Sequence, residues 1–291
     1  MIYFCADDYG LAKQSNHRIA DCVKKGVLNK VSILPNGELD DFKKILSSDD
    51  IALAVHLNLI EGYPLSDKKE VSLLVSDEGY FKYSFIELFF LSFSLKRREL
   101  EKQIYKEIKA QLEFLKDKLG EDNPLLIDSH QHTHMIPYIF NILLRVIKEE
   151  NISVGYLRIP DEPILPYLAN PSLYFSYSPA GLIKQWLLKL LALVNKKKLK
   201  KSGIETGYFM GVMCSGRVTK KVVEKLLPVY IKLAKKKQRL IEIGFHPGYM
   251  EKGESLITGN RKGFEDFYFS DNRLLEYETL IKLKDTMKEG C

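Results

Sequence analysis

Three of the chain's six histidines stand at alternate positions behind an aspartate, in Asp128-Ser129-His130-Gln131-His132-Thr133-His134. In extended chain, side chains two apart share a face, so this spacing predicts that Asp128, His130, His132 and His134 look into one pocket. Imidazole is a common metal ligand and a near-neutral acid or base, which points to metal or proton chemistry. A solvated histidine-rich turn is the plainer alternative.

Other residues suit the same chemistry. Asp7 and Asp8 are adjacent, and two neighbouring carboxylates repel, so a cation on one relieves the pair and leaves the other as a base. In a strand they point to opposite faces; both serve one site only where the strand gives way, a change that Tyr9-Gly10 is expected to supply. His56 and Asn58 stand in the apolar run Ala54-Val55-His56-Leu57-Asn58-Leu59, where an imidazole without a partner is costly. His246 precedes Pro247-Gly248, in a turn from which a proton can pass to a leaving group. Arg158, after Tyr156-Leu157, suits bidentate contact with a carboxylate or a substrate oxygen. Asp8, His56 and His130 together supply the mixed carboxylate and imidazole set of a divalent metal, with a position left for water.

These residues need strand ends to hold them. Short apolar runs at Ile2 to Asp8, Val31 to Leu34, Ile51 to Leu59, Leu125 to Ser129, Gly155 to Ile159, Tyr208 to Met213 and Leu240 to Phe245 read as strands. Helical spacing separates them, most clearly over Arg98 to Leu119, where Leu100, Ile104, Ile108, Leu112 and Leu115 recur at threes and fours. The alternation predicts an α/β fold of about seven parallel strands ringed by helices, and polar residues confined to one edge favour a (β/α) barrel-like arrangement over an open sheet.

Without an internal repeat or a long linker, residues 1–291 read as one domain, with a long loop and an amphipathic helix inserted around 161–204. The apolar residues from Leu182 to Lys201 are interrupted by Lys184 and Lys189, which excludes a membrane span. Such a helix packs on protein, faces a second copy in a homodimer, or lies on a membrane surface. The net charge of +6 comes largely from lysine clusters, and no nucleic-acid signature accompanies them. Cys5, Cys22, Cys214 and Cys291 lack the spacing of a zinc ribbon or a disulfide framework and read as reduced. The first residues lack the pattern of a secretory signal, so a cytoplasmic protein is expected, peripheral to a membrane if 182–201 docks there.

Four blocks together resemble the YdjC-like carbohydrate deacetylases: Ala6-Asp7-Asp8-Tyr9-Gly10, His56-Leu57-Asn58-Leu59, Asp128 to Met135, and His246-Pro247-Gly248-Tyr249. The resemblance implies a (β/α)-barrel-like fold with fewer than eight regular strands, a divalent metal, and removal of the N-acetyl group from an acetylated amino sugar, free or on a glycolipid. It makes Asp8, His56 and His130 the metal ligands, Asp7 the general base and His246 the general acid. His132 and His134 are left to orientation or substrate contact, as are Asn58, Asp128 and Arg158. Ligand preference favours zinc, whereas the family suggests magnesium. Hydrolysis of another bond, a phosphoester or a cyclic amide, is the rival enzyme reading, and a silent sugar- or lipid-binding protein is the rival of another class.

Overall fold

Each apolar run forms a strand, within a residue or a few of the expected limits, in the computed structural model, which describes residues 1–39, 42, 45, 50–120, 122–254 and 264–289. The strands are β1 (Ile2–Tyr9), β2 (Lys30–Ile33), β3 (Ala52–Leu57), β4 (Leu125–Ser129), β5 (Val154–Leu157), β6 (Gly207–Met210) and β7 (Leu240–Phe245). They pair in parallel in the order β5-β4-β3-β2-β1-β7-β6. Neighbours in sequence are thus neighbours in space, as in a barrel, and the sheet curls into a half-barrel with one seam between β5 and β6. Loop backbone bridges that seam: Leu157 N donates to Glu205 O at 3.0 Å and Phe209 N to Asp161 O at 3.3 Å.

Helices α1 (Lys13–Lys25), α2 (Phe85–Leu91), α3 (Arg97–Leu119), α4 (Pro137–Glu149), α5 (Leu165–Leu168), α6 (Pro179–Ser202), α7 (Lys220–Lys237), α8 (Phe264–Tyr268) and α9 (Asp271–Glu289) surround the sheet. The residues between 161 and 204 supply α5 and α6 and leave the chain at the seam. On α3 the expected stripe Leu100, Ile104, Ile108, Leu112 and Leu115 is buried, but so are Gln103, Glu107 and Gln111. Those polar side chains hold the loop after β3: Glu107 accepts from Leu65 N at 3.0 Å and Ser66 N at 2.9 Å, and Gln111 bonds both backbone groups of Asn58. A loop that cannot join a ladder is fixed there by side chains that replace one.

Residues two apart on each strand face the barrel interior, and there the fold departs from the branched apolar filling usual in such barrels. Lys30 and Ser32 on β2, Asp128 on β4, Glu242 on β7 and Arg158 just beyond β5 are all fully buried. Beside them Phe209 lays its ring over the Arg158 guanidinium, 4.8 Å from centroid to carbon. Room for that ring comes from Gly244, where a Cβ would lie 2.7 Å from Phe209 Cζ. Cys5, Cys22 and Cys214 are buried free thiols, as expected; Cys291 lies outside the described residues. Gly244→Ala is expected to cost about 1–3 kcal/mol of unfolding free energy through overpacking, measured by denaturant titration.

Candidate active site

Asp8 adopts a left-handed conformation, φ 68°, inside β1 itself. Between the pairs Ala6–Val31 and Tyr9–Ile33, β1 advances three residues while β2 advances two, so a bulge occurs there. The expectation that Tyr9-Gly10 turns the two aspartates toward one site is thereby corrected: the strand runs on through Tyr9, and the strained backbone at Asp8 brings both carboxylates to one cavity. That cavity, about 280 Å³, is lined by Asp7, Asp8, His56, His130, His132 and His246, among others.

The alternation expected beyond Asp128 ends at Ser129. His130 to Met135 wind into a short 3-10 turn, with Gln131 at φ 50° and His132 at φ 59°, so the three imidazoles separate. His130 points to Asp8. His132 lines the cavity edge-on to the Phe209 ring, its Nδ1 without a hydrogen-bond partner among the described residues, and burial holds its pKa well below the usual imidazole range. His134 lies outside the cavity wall, between Ser129 Oγ and the carbonyl of Arg158, where its Nε2–H donates at 2.8 Å. Burial lowers its pKa to about 4, and its role is to tie the turn to the end of β5.

Asn58 and Arg158 also lie away from the cavity wall. Asn58 Oδ1 accepts from Ile60 N and Glu61 N, both at 3.1 Å, and its Nδ2 donates to Glu61 O, which folds the loop that presents Glu61. Arg158 takes the bidentate role with a protein carboxylate: Nη1 donates to Asp7 Oδ2 at 2.7 Å and Nη2 to Asp7 Oδ1 at 2.8 Å. It also reaches Asp128 at 3.0 Å and Glu242 at 2.5 Å. Burial raises the Asp7 carboxyl, but Arg158 and then His56 outweigh it and hold the group ionised.

Asp8, His56 and His130 bring one ligand atom each to within 4.8 Å of one another. His130 Nδ1 lies 2.9 Å and His56 Nε2 3.4 Å from Asp8 Oδ1, while Arg273 holds Asp8 Oδ2 at 2.5 Å. The outward nitrogen of each imidazole meets a second carboxylate, His56 Nδ1 with Asp128 at 2.6 Å and His130 Nε2 with Glu61 at 3.3 Å. Carboxylates behind the imidazoles of a metal site fix the tautomer and sharpen the inner nitrogen as a donor, so these residues fit a divalent ion. Burial lowers an imidazole's pKa, yet Asp128 leads the groups that raise His56 to about 9, and Glu61 and Asp8 raise His130 to about 10. The other buried acidic clusters, around Cys5, Asp128 and Glu242 and around Asp7, His56 and Asp128, are already neutralised by Lys30 and Arg158.

His246 also lines the cavity, half-buried, its backbone N–H donating to Glu276 Oε2 at 2.5 Å and its ring edge-on to Phe267. Glu61, Tyr268, Arg273, Glu276 and Lys184 belong to no motif, and sequence reasoning missed them. Glu242 left a trace, a charged residue within a strand-like run of apolar neighbours, and Lys30 stands just before another.

Fold and site thus define an α/β half-barrel with a carboxylate–imidazole centre at the C-terminal ends of its strands. A model of the YdjC-like protein family matches residues 1–285, and the chain belongs to that family. It is 31% identical to a carbohydrate deacetylase of Danio rerio over 164 residues, 55% of this chain and 50% of that protein. Against a carbohydrate deacetylase of Thermoanaerobacter pseudethanolicus it is 26% identical over 193 residues, 64% of this chain and 73% of that one. The chain spans about half the length of the curated relatives it matches first. A crystal structure from Enterococcus faecalis, described as a cellobiose-phosphate cleavage protein, shares the fold with a TM-score of 0.64 at 19% identity, covering 99% of this chain and 94% of that one.

Because both imidazole pKa values lie above the ordinary 6.5, the stabilisation they give the metal-free fold is complete below about pH 6.5. It is lost as the pH rises through about 9 and about 10. The thermal midpoint of metal-free protein is expected to fall over that window, whereas the affinity for zinc rises with pH and binding releases protons, measured by calorimetry in buffers of different ionisation enthalpy. Asp128→Asn is expected to weaken zinc binding about 10- to 100-fold in a chelator competition, with the thermal midpoint as the control for folding.

Proposed function

We propose that this protein is a metal-dependent hydrolase that removes the N-acetyl group from an acetylated amino sugar, releasing acetate. The observation that carries the reading is the meeting, on one small cavity, of the Asp8, His56 and His130 donors with an ionised Asp7 and with His246. The carbohydrate deacetylase relatives support the same reaction class.

Asp8, His56 and His130 would hold the ion, and two imidazoles with one carboxylate favour zinc over magnesium. When bound, the ion supplies Lewis acidity to the acetyl carbonyl and to water. Asp7 is clamped by Arg158 with both oxygens oriented and its charge kept, so it accepts the proton of the attacking water as the new carbon–oxygen bond forms. His246, on the same cavity, gives its proton to the nitrogen as the carbon–nitrogen bond breaks, and the products are acetate and a free amine. Lys184 and His132 also line the cavity as donors for the acetyl oxygen or for sugar hydroxyls, and Phe209, Phe267 and Tyr268 supply flat apolar faces.

Asp7→Asn is expected to retain zinc and lose acetate release from N-acetylated disaccharides by about 10²–10⁴-fold in kcat, and His246→Ala to lose a similar factor. Assayed in parallel, sugar phosphates are expected to release no phosphate. Full acetate release by the Asp7 variant or by metal-stripped protein would overturn the scheme, and turnover of a phosphoester alone would replace it.

A further inference from the structure

Helix α6 is apolar on two opposite sides. Its inner side buries Gln185, Leu188, Leu191 and Asn195 at helical spacing, and Asn195 Nδ2 donates to Met135 O at 2.9 Å, which fixes the helix to the turn that carries His130. Its outer side presents Ile183, Trp186, Leu190, Leu193 and Val194, also at threes and fours, exposed by 71, 59, 56, 60 and 59%. A contiguous exposed apolar stripe of this kind marks an interaction surface. Ile183 adjoins Lys184, which lines the cavity, so the stripe begins at the rim of the site.

Charge identifies the partner. From Pro163 to Ile204 the chain carries seven lysines and neither Asp nor Glu. Lys189, Lys196, Lys197, Lys198, Lys200 and Lys201 are exposed along and beyond the stripe. A second copy offers no carboxylate from this segment to meet them. An anionic lipid surface offers both what the stripe lacks, an apolar layer and a sheet of negative charge. Among the described residues no helix is long and apolar enough to cross a membrane, so contact is in the plane of the surface. We propose that the outer side of α6 docks the protein on an anionic bilayer, which brings the rim of the catalytic cavity to the lipid headgroups. The docking stands on the stripe and its lysines, independently of the reaction assigned to the cavity.

Trp186 is the chain's one tryptophan, and its emission reports the docking directly. With the full chain, vesicles of phosphatidylcholine and phosphatidylglycerol at low salt are expected to shift that emission to the blue and to carry the protein upward in flotation. High salt or pure phosphatidylcholine should abolish both effects. Replacing Lys196, Lys197 and Lys198 together by Gln is expected to weaken vesicle binding by about a hundredfold. Leu190→Ser with Leu193→Ser is expected to abolish it while leaving the thermal midpoint and acetate release unchanged. Absence of both shift and flotation at low salt overturns the proposal. So does a lipid-independent shift that follows protein concentration and that sedimentation traces to a dimer broken by the two serines.

Discussion

Burying a guanidinium inside a barrel is the constraint to which the rest of the structure answers. Arg158 is fully enclosed, and an isolated charge in such a place would cost several kcal/mol. Asp7, Asp128 and Glu242 surround it, and Lys30 offsets part of the surplus negative charge, 3.2 Å from Asp128 and 2.7 Å from Glu242. None of these groups can be removed without stranding another. The cluster sets positions as much as it contributes stability: Asp7 and Asp128 reach upward from it, one to the cavity and the other to the back of His56.

The site is therefore built in two tiers. The lower tier of paired charges holds the carboxylates, and the upper tier consists of groups that those carboxylates aim. His56 is aimed by Asp128, His130 by Glu61 with Tyr268 alongside, and Asp8 by Arg273. Side chains held in this way are fixed by charged partners before any ligand is present, which is the arrangement that electrostatic preorganisation requires. The backbone bears part of the burden, with Asp8, Gln131 and His132 all left-handed beside the cavity.

Much of this was legible in the residues. Apolar runs and helical spacing gave the seven strands and the long helices, because burial on both faces of a parallel sheet writes itself into composition. Asp8, His56 and His130 were legible because each stands in or just after an apolar strand-like run, where an idle polar group would be costly. The geometry beyond Ser129 was not. A period of two continues in the letters, but nothing in the letters marks the left-handed Gln131 and His132 that end the strand and send His134 to a structural post. Nor was Arg273 legible, since its partner Asp8 lies far away in the chain and only the closed fold brings them together.

The seam between β5 and β6 divides the wall of the cavity into two kinds of territory. On one side, Asp8 stands at the bulge of β1, His56 within β3 and His130 just past the end of β4, all on strands paired along their length. On the other side, Lys184, Gly211 and Val212 stand on chain that leaves and re-enters at the seam, tied by isolated backbone bonds. A half-barrel with one unzipped edge thus keeps its carboxylate–imidazole centre on paired strands and leaves the rest of the cavity wall to chain held by few bonds.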